Sequence, residues 1–291
     1  MIEKLVLGTV QLGLDYGINN QLGKPSREKS FEILNKAFDK GVSILDTAEA
    51  YGNSQEIIGQ FLKENPQKPF HIITKLSANS NVKPKHFLNH IEKNCSVLNV
   101  NKLYGYMFHN YQSFKSKLNL YDKLIFARDI KLITKAGISL YTNDEIEDVL
   151  ANYKEFDFIQ IPFNLFDNSI KRKALLDKAK AQNIEVHSRS VFLQGLFFKN
   201  SKALSQKLKA LVPYLEVLNG IKSKFNLNTL TLSLQYVLQK DYIDQVLIGV
   251  DTPEQLNNNV DSCLKNVNIP HELIDAINVK ENELLNPSNW Y

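Results

Sequence analysis

Cysteine is scarce in this chain, long apolar stretches are missing, and neither sign of charge dominates. Two cysteines in 291 residues, Cys95 and Cys263, are too few for a disulfide framework, and each lies in a segment of helical period. Both are expected to be free, buried thiols in a reducing compartment. No apolar run approaches the roughly 20 residues needed to cross a bilayer. The N-terminus, MIEKLVLGT, passes straight into a strand-like run with no basic segment or small-residue cleavage site ahead of it, so a cytoplasmic protein without membrane contact is expected. The 35 Lys and Arg residues against 31 Asp and Glu leave only +4. No dense basic run is interleaved with aromatics, which excludes a nucleic-acid groove. The basic triplet Lys171, Arg172, Lys173 is expected to be the solvated start of a helix. Histidine is also sparse: the first strand carries no His-x-His, and His71, His86, His90 and His271 fall at strand starts or helix faces, which argues against a barrel metallohydrolase and leaves no metal site expected.

What is present is a steady alternation of short β-rich runs with longer helical ones. Strands are expected over 5–8, 42–46, 71–75, 103–109, 138–141, 158–161, 184–188 and 246–249. Helices are expected over 27–40, 84–98, 144–153 and 169–182, two more between 200 and 239 broken near 226–228, and two after the last strand over 253–264 and 271–285. Eight buried, non-alternating strands separated by helices imply a parallel sheet closed into an α/β barrel, a (β/α)8 TIM barrel. Nothing in the composition splits the chain, so 1–291 is expected to be a single domain.

The segment LDTAEAYGNSQEIIG, residues 45–59, carries most of the functional information. An acid, Asp46, ends an apolar run; Tyr51 follows; Gly52 and Asn53 break the chain; and Ser54 is positioned to cap a helix with Glu56 in its first turn. Two further strand ends follow: HIITK closes on Lys75 and LYGYMFH closes on His109. Four titratable side chains thus stand at the C-terminal ends of three consecutive strands, where barrels deliver their working groups.

That segment, with Lys75 and His109 in order after it, resembles the aldo-keto reductases, in which an Asp, Tyr, Lys and His form a catalytic tetrad. The resemblance covers almost the whole chain, from LGTVQLG at 7–13, which includes Thr9, through QIPFNLFD and SVFLQGLF to VLIGVDTPEQL. It implies NAD(P)H-dependent reduction of an aldehyde or ketone to an alcohol by hydride transfer. Tyr51 would be the general acid, Lys75 would lower its pKa, Asp46 would hold Lys75, and His109 would orient the carbonyl. It also implies cofactor contacts from Thr9, Ser139, Gln160, Arg189, Gly249, Asp251, Gln255 and Asn259. Where many relatives carry Asn, Leu140 follows Ser139; where many carry a stacking aromatic, this chain has Arg189; Val191 stands where proline is usual. Arg189 is expected on the nicotinamide ring or the phosphates, with a buried ion pair as its rival role.

NADPH is the family default, but Asp251 stands where a base commonly pairs with the 2′-phosphate, so NADH use is also expected, unless Asp251 caps the following helix instead. A cofactor-binding regulatory protein on the same fold is the alternative to an enzyme. The loops 11–25 and 110–123 are expected to shape the substrate pocket. Tyr16, Tyr111 and Trp290 are candidates for stacking on a substrate, with surface packing as their other reading, and His187 is given a structural role.

Overall fold

The computed structural model describes residues 1–20 and 22–290; Gln21, inside the loop expected to shape the pocket, and Tyr291 lie outside the described residues. Eight strands run β1 Leu5–Gly8, β2 Ile44–Asp46, β3 His71–Leu76, β4 Leu103–Phe108, β5 Ile133–Ser139, β6 Phe158–Pro162, β7 Glu185–Arg189 and β8 Gln245–Gly249. They pair in parallel in chain order, and β8 returns to β1 through Leu5↔Val246 to Gly8↔Gly249, so the barrel closes. The fold is a single-domain (β/α)8 barrel, as the alternation required.

The inside of the barrel has three storeys, set by the two-residue period of a strand. In the middle storey Val6, Ile44, Ile73, Met107, Phe158 and Leu247 form an apolar plug. Two residues further along the same strands the plug gives way to Gly8, Asp46, Lys75, His109, Gln160 and Gly249. On β5 and β7 the same storey holds Ser139 and Arg189. A second, larger core lies between the strands and the helices, where each fully buried Leu, Ile or Phe contributes roughly 1.5–3 kcal/mol.

Several elements differ from expectation. Strand β5 lies earlier than 138–141, because Lys135 interrupts its apolar run; Lys135 turns to the lower end of the barrel and pairs with Glu185. The stretch 110–123 is largely helical, with Tyr111–Lys115 and the start of Tyr121–Asp129, held by an aromatic cluster of Phe114, Tyr121, Tyr153 and Phe156. The final helix covers only His271–Asp275 instead of 271–285, since the Asn168 amide takes the carbonyls of Ile274 and Ile277. Ser54 is not a cap. It opens the helix Ser54–Glu64 from inside, and its hydroxyl bonds Thr9. The break between Val212–Phe225 and Thr229–Leu238 does fall at Asn226, whose φ of +51° ends the first helix.

The basic triplet is not uniformly solvated. Lys173 is exposed, but Arg172 is buried in a fork on Asp167, at 2.7 and 2.8 Å, and Lys171 bonds the Val279 carbonyl at 2.8 Å. Trp290 is buried and donates its indole N–H to the Leu284 carbonyl, anchoring the chain end. Cys95 and Cys263 are free and buried. Among the described residues no helix is long and apolar enough to cross a membrane.

Candidate active site

Asp46 and Lys75 meet inside the barrel mouth, both almost fully buried. The ammonium makes a short ion pair with Asp46 Oδ1 and donates to the Thr47 carbonyl at 3.0 Å, while Gln160 Nε2 donates to Asp46 Oδ2 at 2.8 Å. Both carboxylate oxygens are therefore engaged, as a buried charge requires. The Tyr51 ring lies with its centroid 5.1 Å from Lys75 Nζ and 5.7 Å from the His109 ring, edge to face at 81°. The four tetrad positions converge on one small volume.

The loop that delivers Tyr51 is fixed by backbone contact. Gly13, at the end of the short helix Val10–Gly13, lies so close that a Cβ there would stand 1.8 Å from the Tyr51 carbonyl, and Gly52 has φ +54° against the Gly13 carbonyl. Only glycine permits either. The same loop is tied from below by Glu49, whose carboxylate accepts from the Ser77 amide, His90, Asn94 and the Tyr106 hydroxyl at 2.6–2.9 Å. Glu49 was missed in the sequence although it sits inside the LDTAEAYG motif, because nothing local distinguishes it from a solvated turn acid.

The electrostatics correct one expectation. Tyr51 is not lowered toward neutrality: burial first, then the negative charge of Asp46, raises its phenol far above the usual value, and Arg189 opposes the rise. Lys75 is itself lowered by burial, with Asp46 acting against the shift. His109 falls from 6.5 to about 4, through burial and then the Lys75 charge, and is neutral at pH 7.

The remaining predicted positions divide. Thr9 is fully buried with its hydroxyl donated to the Asp46 carbonyl at 3.0 Å, so it supports β2 from behind and is not at the surface of the mouth. Ser139 lines the mouth and is buried. Arg189 is not a buried ion-pair partner: its guanidinium lies 4.0 Å over the Tyr141 ring, bonds the Leu140 carbonyl at 3.3 Å, and pairs with no carboxylate among the described residues.

At the end of β8, a Cβ on Gly249 would stand 2.4 Å from Gln11 Nε2, and Gln11 Oε1 is buried without a partner among the described residues. Asp251 does not cap the helix Pro253–Cys263; Thr252 does, accepting from the Gln255 amide at 3.2 Å. Asp251 Oδ1 is buried and unpartnered among the described residues, and its backbone amide bonds Gln255 Oε1 at 2.7 Å. Asn259 is buried on the same helix. Tyr16, from the first loop, reaches the mouth and bonds Gln194 at 2.9 Å, whereas Tyr111 is held by Asp148 on a neighbouring helix. His187 stacks on Phe158 of the plug at 4.6 Å and bonds Glu185 below it, a structural placement beneath the mouth. Among the described residues, no group of three His, Cys, Asp or Glu could hold a metal.

The sequence model described as "Aldo/keto reductase family" matches residues 4–281. This chain belongs to that family, and so to the carbonyl oxidoreductases that use nicotinamide cofactors. It is similar to the NADH-specific methylglyoxal reductase of Escherichia coli (strain K12), 23% identical with 89% of each chain covered. The aldo-keto reductase YhdN of Bacillus subtilis (strain 168) is also 23% identical, over 87% of this chain and 83% of that protein. Among solved structures, the holo form of aldo-keto reductase AKR11C1 from Bacillus halodurans has the same fold at a TM-score of 0.75 and 16% identity, covering 94% of this chain and 92% of that one.

Proposed function

We propose that this protein reduces an aldehyde or ketone to the alcohol with a reduced nicotinamide cofactor, Tyr51 supplying the proton. The observation that carries this reading is the convergence of Tyr51, His109 and the Lys75–Asp46 pair at the barrel mouth. The cofactor, when bound, supplies a hydride to the carbonyl carbon. Everything else falls to the protein. His109, neutral at pH 7, has an N–H to offer the carbonyl oxygen and orients it beside the Tyr51 hydroxyl. As that oxygen gains negative charge it becomes a stronger base than a phenolate, and the Tyr51 proton moves to it. The raised Tyr51 pKa keeps the donor protonated at rest; the phenolate that forms is faced by the Lys75 ammonium, 5.1 Å from the ring centroid, which eases its cost. A lone cation about 4–5 Å away would contribute on the order of 3–4 kcal/mol at an effective dielectric of about 20, and the Asp46 charge paired with Lys75 offsets much of that. Asp46 and the Thr47 carbonyl hold that ammonium in place, and Gln160 holds Asp46.

Two orphaned buried oxygens, Gln11 Oε1 and Asp251 Oδ1, support a polar ligand along the β8 side of the mouth. Gly249, Gln255 and Asn259 complete that side, and Ser139 stands across the mouth at the end of β5. A carboxylate repels a 2′-phosphate and accepts a hydrogen bond from a free 2′-hydroxyl, so Asp251 supports use of NADH alongside the family's default NADPH. The E. coli relative's NADH specificity points the same way.

The test is oxidation of NADH and NADPH against a panel of aldehydes and sugar-derived ketones, with Tyr51→Phe in parallel. Cofactor binding without any carbonyl-dependent turnover would instead establish a regulatory cofactor-binding protein.

A further inference from the structure

Arg189 is the one cation of the mouth whose charge the described residues leave uncompensated. Lys75 is cancelled by Asp46. His109 is neutral at pH 7, and burial raises the phenols of Tyr51 and Tyr16, which carry no charge. Glu49 is turned away, engaged by Ser77, His90, Asn94 and Tyr106. Asp251 stands at the rim, on the loop after β8. The contacts of Arg189 are all with neutral groups: the Tyr141 face at 4.0 Å, the Leu140 carbonyl at 3.3 Å and the Ser190 hydroxyl at 3.4 Å.

Its position is built. The Arg189 carbonyl accepts from the Phe163 amide at 3.2 Å, and Ser190 turns the chain with φ +59° while its carbonyl accepts from Asn164 at 3.1 Å. The Tyr141 platform is held in turn, since its carbonyl accepts from the buried Arg172 at 2.6 Å and Arg172 is closed by Asp167. Arg189 also acts electrostatically on Tyr51, Lys75 and His109 together, which puts its charge in the volume where the reacting carbonyl would lie.

We propose that Arg189 selects the redox form of the cofactor, favouring the uncharged reduced nicotinamide over the positively charged oxidised ring and so biasing the site toward carbonyl reduction. This rests on the function proposed above. Hydride transfer requires the ring to touch the carbonyl carbon whose oxygen is at Tyr51 and His109, so the ring lies within a few ångströms of the guanidinium. The reduced ring is neutral and the oxidised ring carries a full positive charge. A unit charge about 6 Å away at an effective dielectric near 20 separates their affinities by roughly tenfold to a hundredfold. A neutral aromatic at this position would exert no such discrimination.

Calorimetric titration of the whole protein with NADH, NAD+, NADPH and NADP+ tests this without turnover. The wild type should bind each reduced form at least about tenfold tighter than its oxidised partner. Arg189→Gln and Arg189→Tyr should bring the ratio close to one, chiefly by tightening the oxidised form, while Arg189→Lys should preserve it. A ratio unchanged in the neutral variants, or an equal loss of affinity for both forms, would overturn the proposal; the second result would show that the guanidinium pairs with a cofactor phosphate. Failure of the wild type to bind any nicotinamide would remove the underlying function as well, whereas tight binding with a ratio near one removes only this inference.

Discussion

The barrel holds two lysine–carboxylate pairs, one at each end, and they behave in opposite ways. At the mouth, the Lys75 and Asp46 side chains are 2% and 3% exposed; at the lower end, Lys135 and Glu185 are 21% and 32% exposed. Burial works against both ammonium groups. For Lys135 the bonds from Glu185 and the Tyr104 hydroxyl outweigh it and the pKa rises; for Lys75 burial wins and the pKa falls. The same chemical pair is thus a stabilising clasp where water reaches it. Out of reach of water it is a costly, pre-positioned charge. Among the described residues the mouth leaves oxygens of Gln11 and Asp251 unmet and Arg189 without an acid, while beside the lower pair Nδ1 of His187 is also unmet.

Removing each lysine should therefore separate the ends most strongly. Lys75→Met leaves a buried, unpaired Asp46 and should cost about 3–5 kcal/mol in urea unfolding. Turnover should fall by about a hundredfold to ten-thousandfold, as it should in Tyr51→Phe. Lys135→Met should cost roughly 1 kcal/mol or less and leave turnover largely intact. Equal stability losses in the two lysine variants would break the comparison.

Acid titration of stability should resolve two windows. His109 has a folded pKa of about 4 against 6.5 ordinarily, so the unfolded chain takes up the proton first, and stability is lost as the pH falls from about 6.5 to 4. Glu185, bonded by His187 and Lys135, is lowered from 4.5 to about 2, so its contribution is present above about 4.5 and lost as the pH falls toward 2. His109→Asn should remove the upper window and Glu185→Gln the lower one. Loss of both windows in either variant would show that the ends are coupled.

The smallest effect concerns the rim. Parallel kcat/KM values should show NADPH preferred over NADH by less than about a thousandfold, or about 4 kcal/mol. Asp251→Asn should shift the ratio toward NADPH. A larger wild-type preference, or no shift in the variant, would show that Asp251 does not face the ribose.

Much of this was legible from the chain because strand period and strand ends are local properties. Apolar plug residues two positions before Gly8, Asp46, Lys75 and Gly249 are visible in VLG, SILDT, IITK and VLIG, and the period fixes which side chains turn inward. Strand β5 escaped because Lys135 breaks its apolar run to reach Glu185 on a distant strand. The burial of Arg172 is not legible locally, because its acid, Asp167, and its carbonyl partner, Tyr141, meet it only through the packing of successive βα units.

The sequence by itself determined the closed eight-stranded barrel, the family, and the four side chains Asp46, Tyr51, Lys75 and His109 that meet at its mouth. Only the tertiary structure decided what state they are in. Tyr51 is pushed up instead of down, Thr9 lies behind the site, Thr252 and not Asp251 caps the last barrel helix, and Arg189 stands on Tyr141 without an acid. Each of these depends on desolvation and on partners far apart in the chain. Such terms depend on how much protein surrounds a group and which distant group faces it, and neither is written in the neighbouring residues.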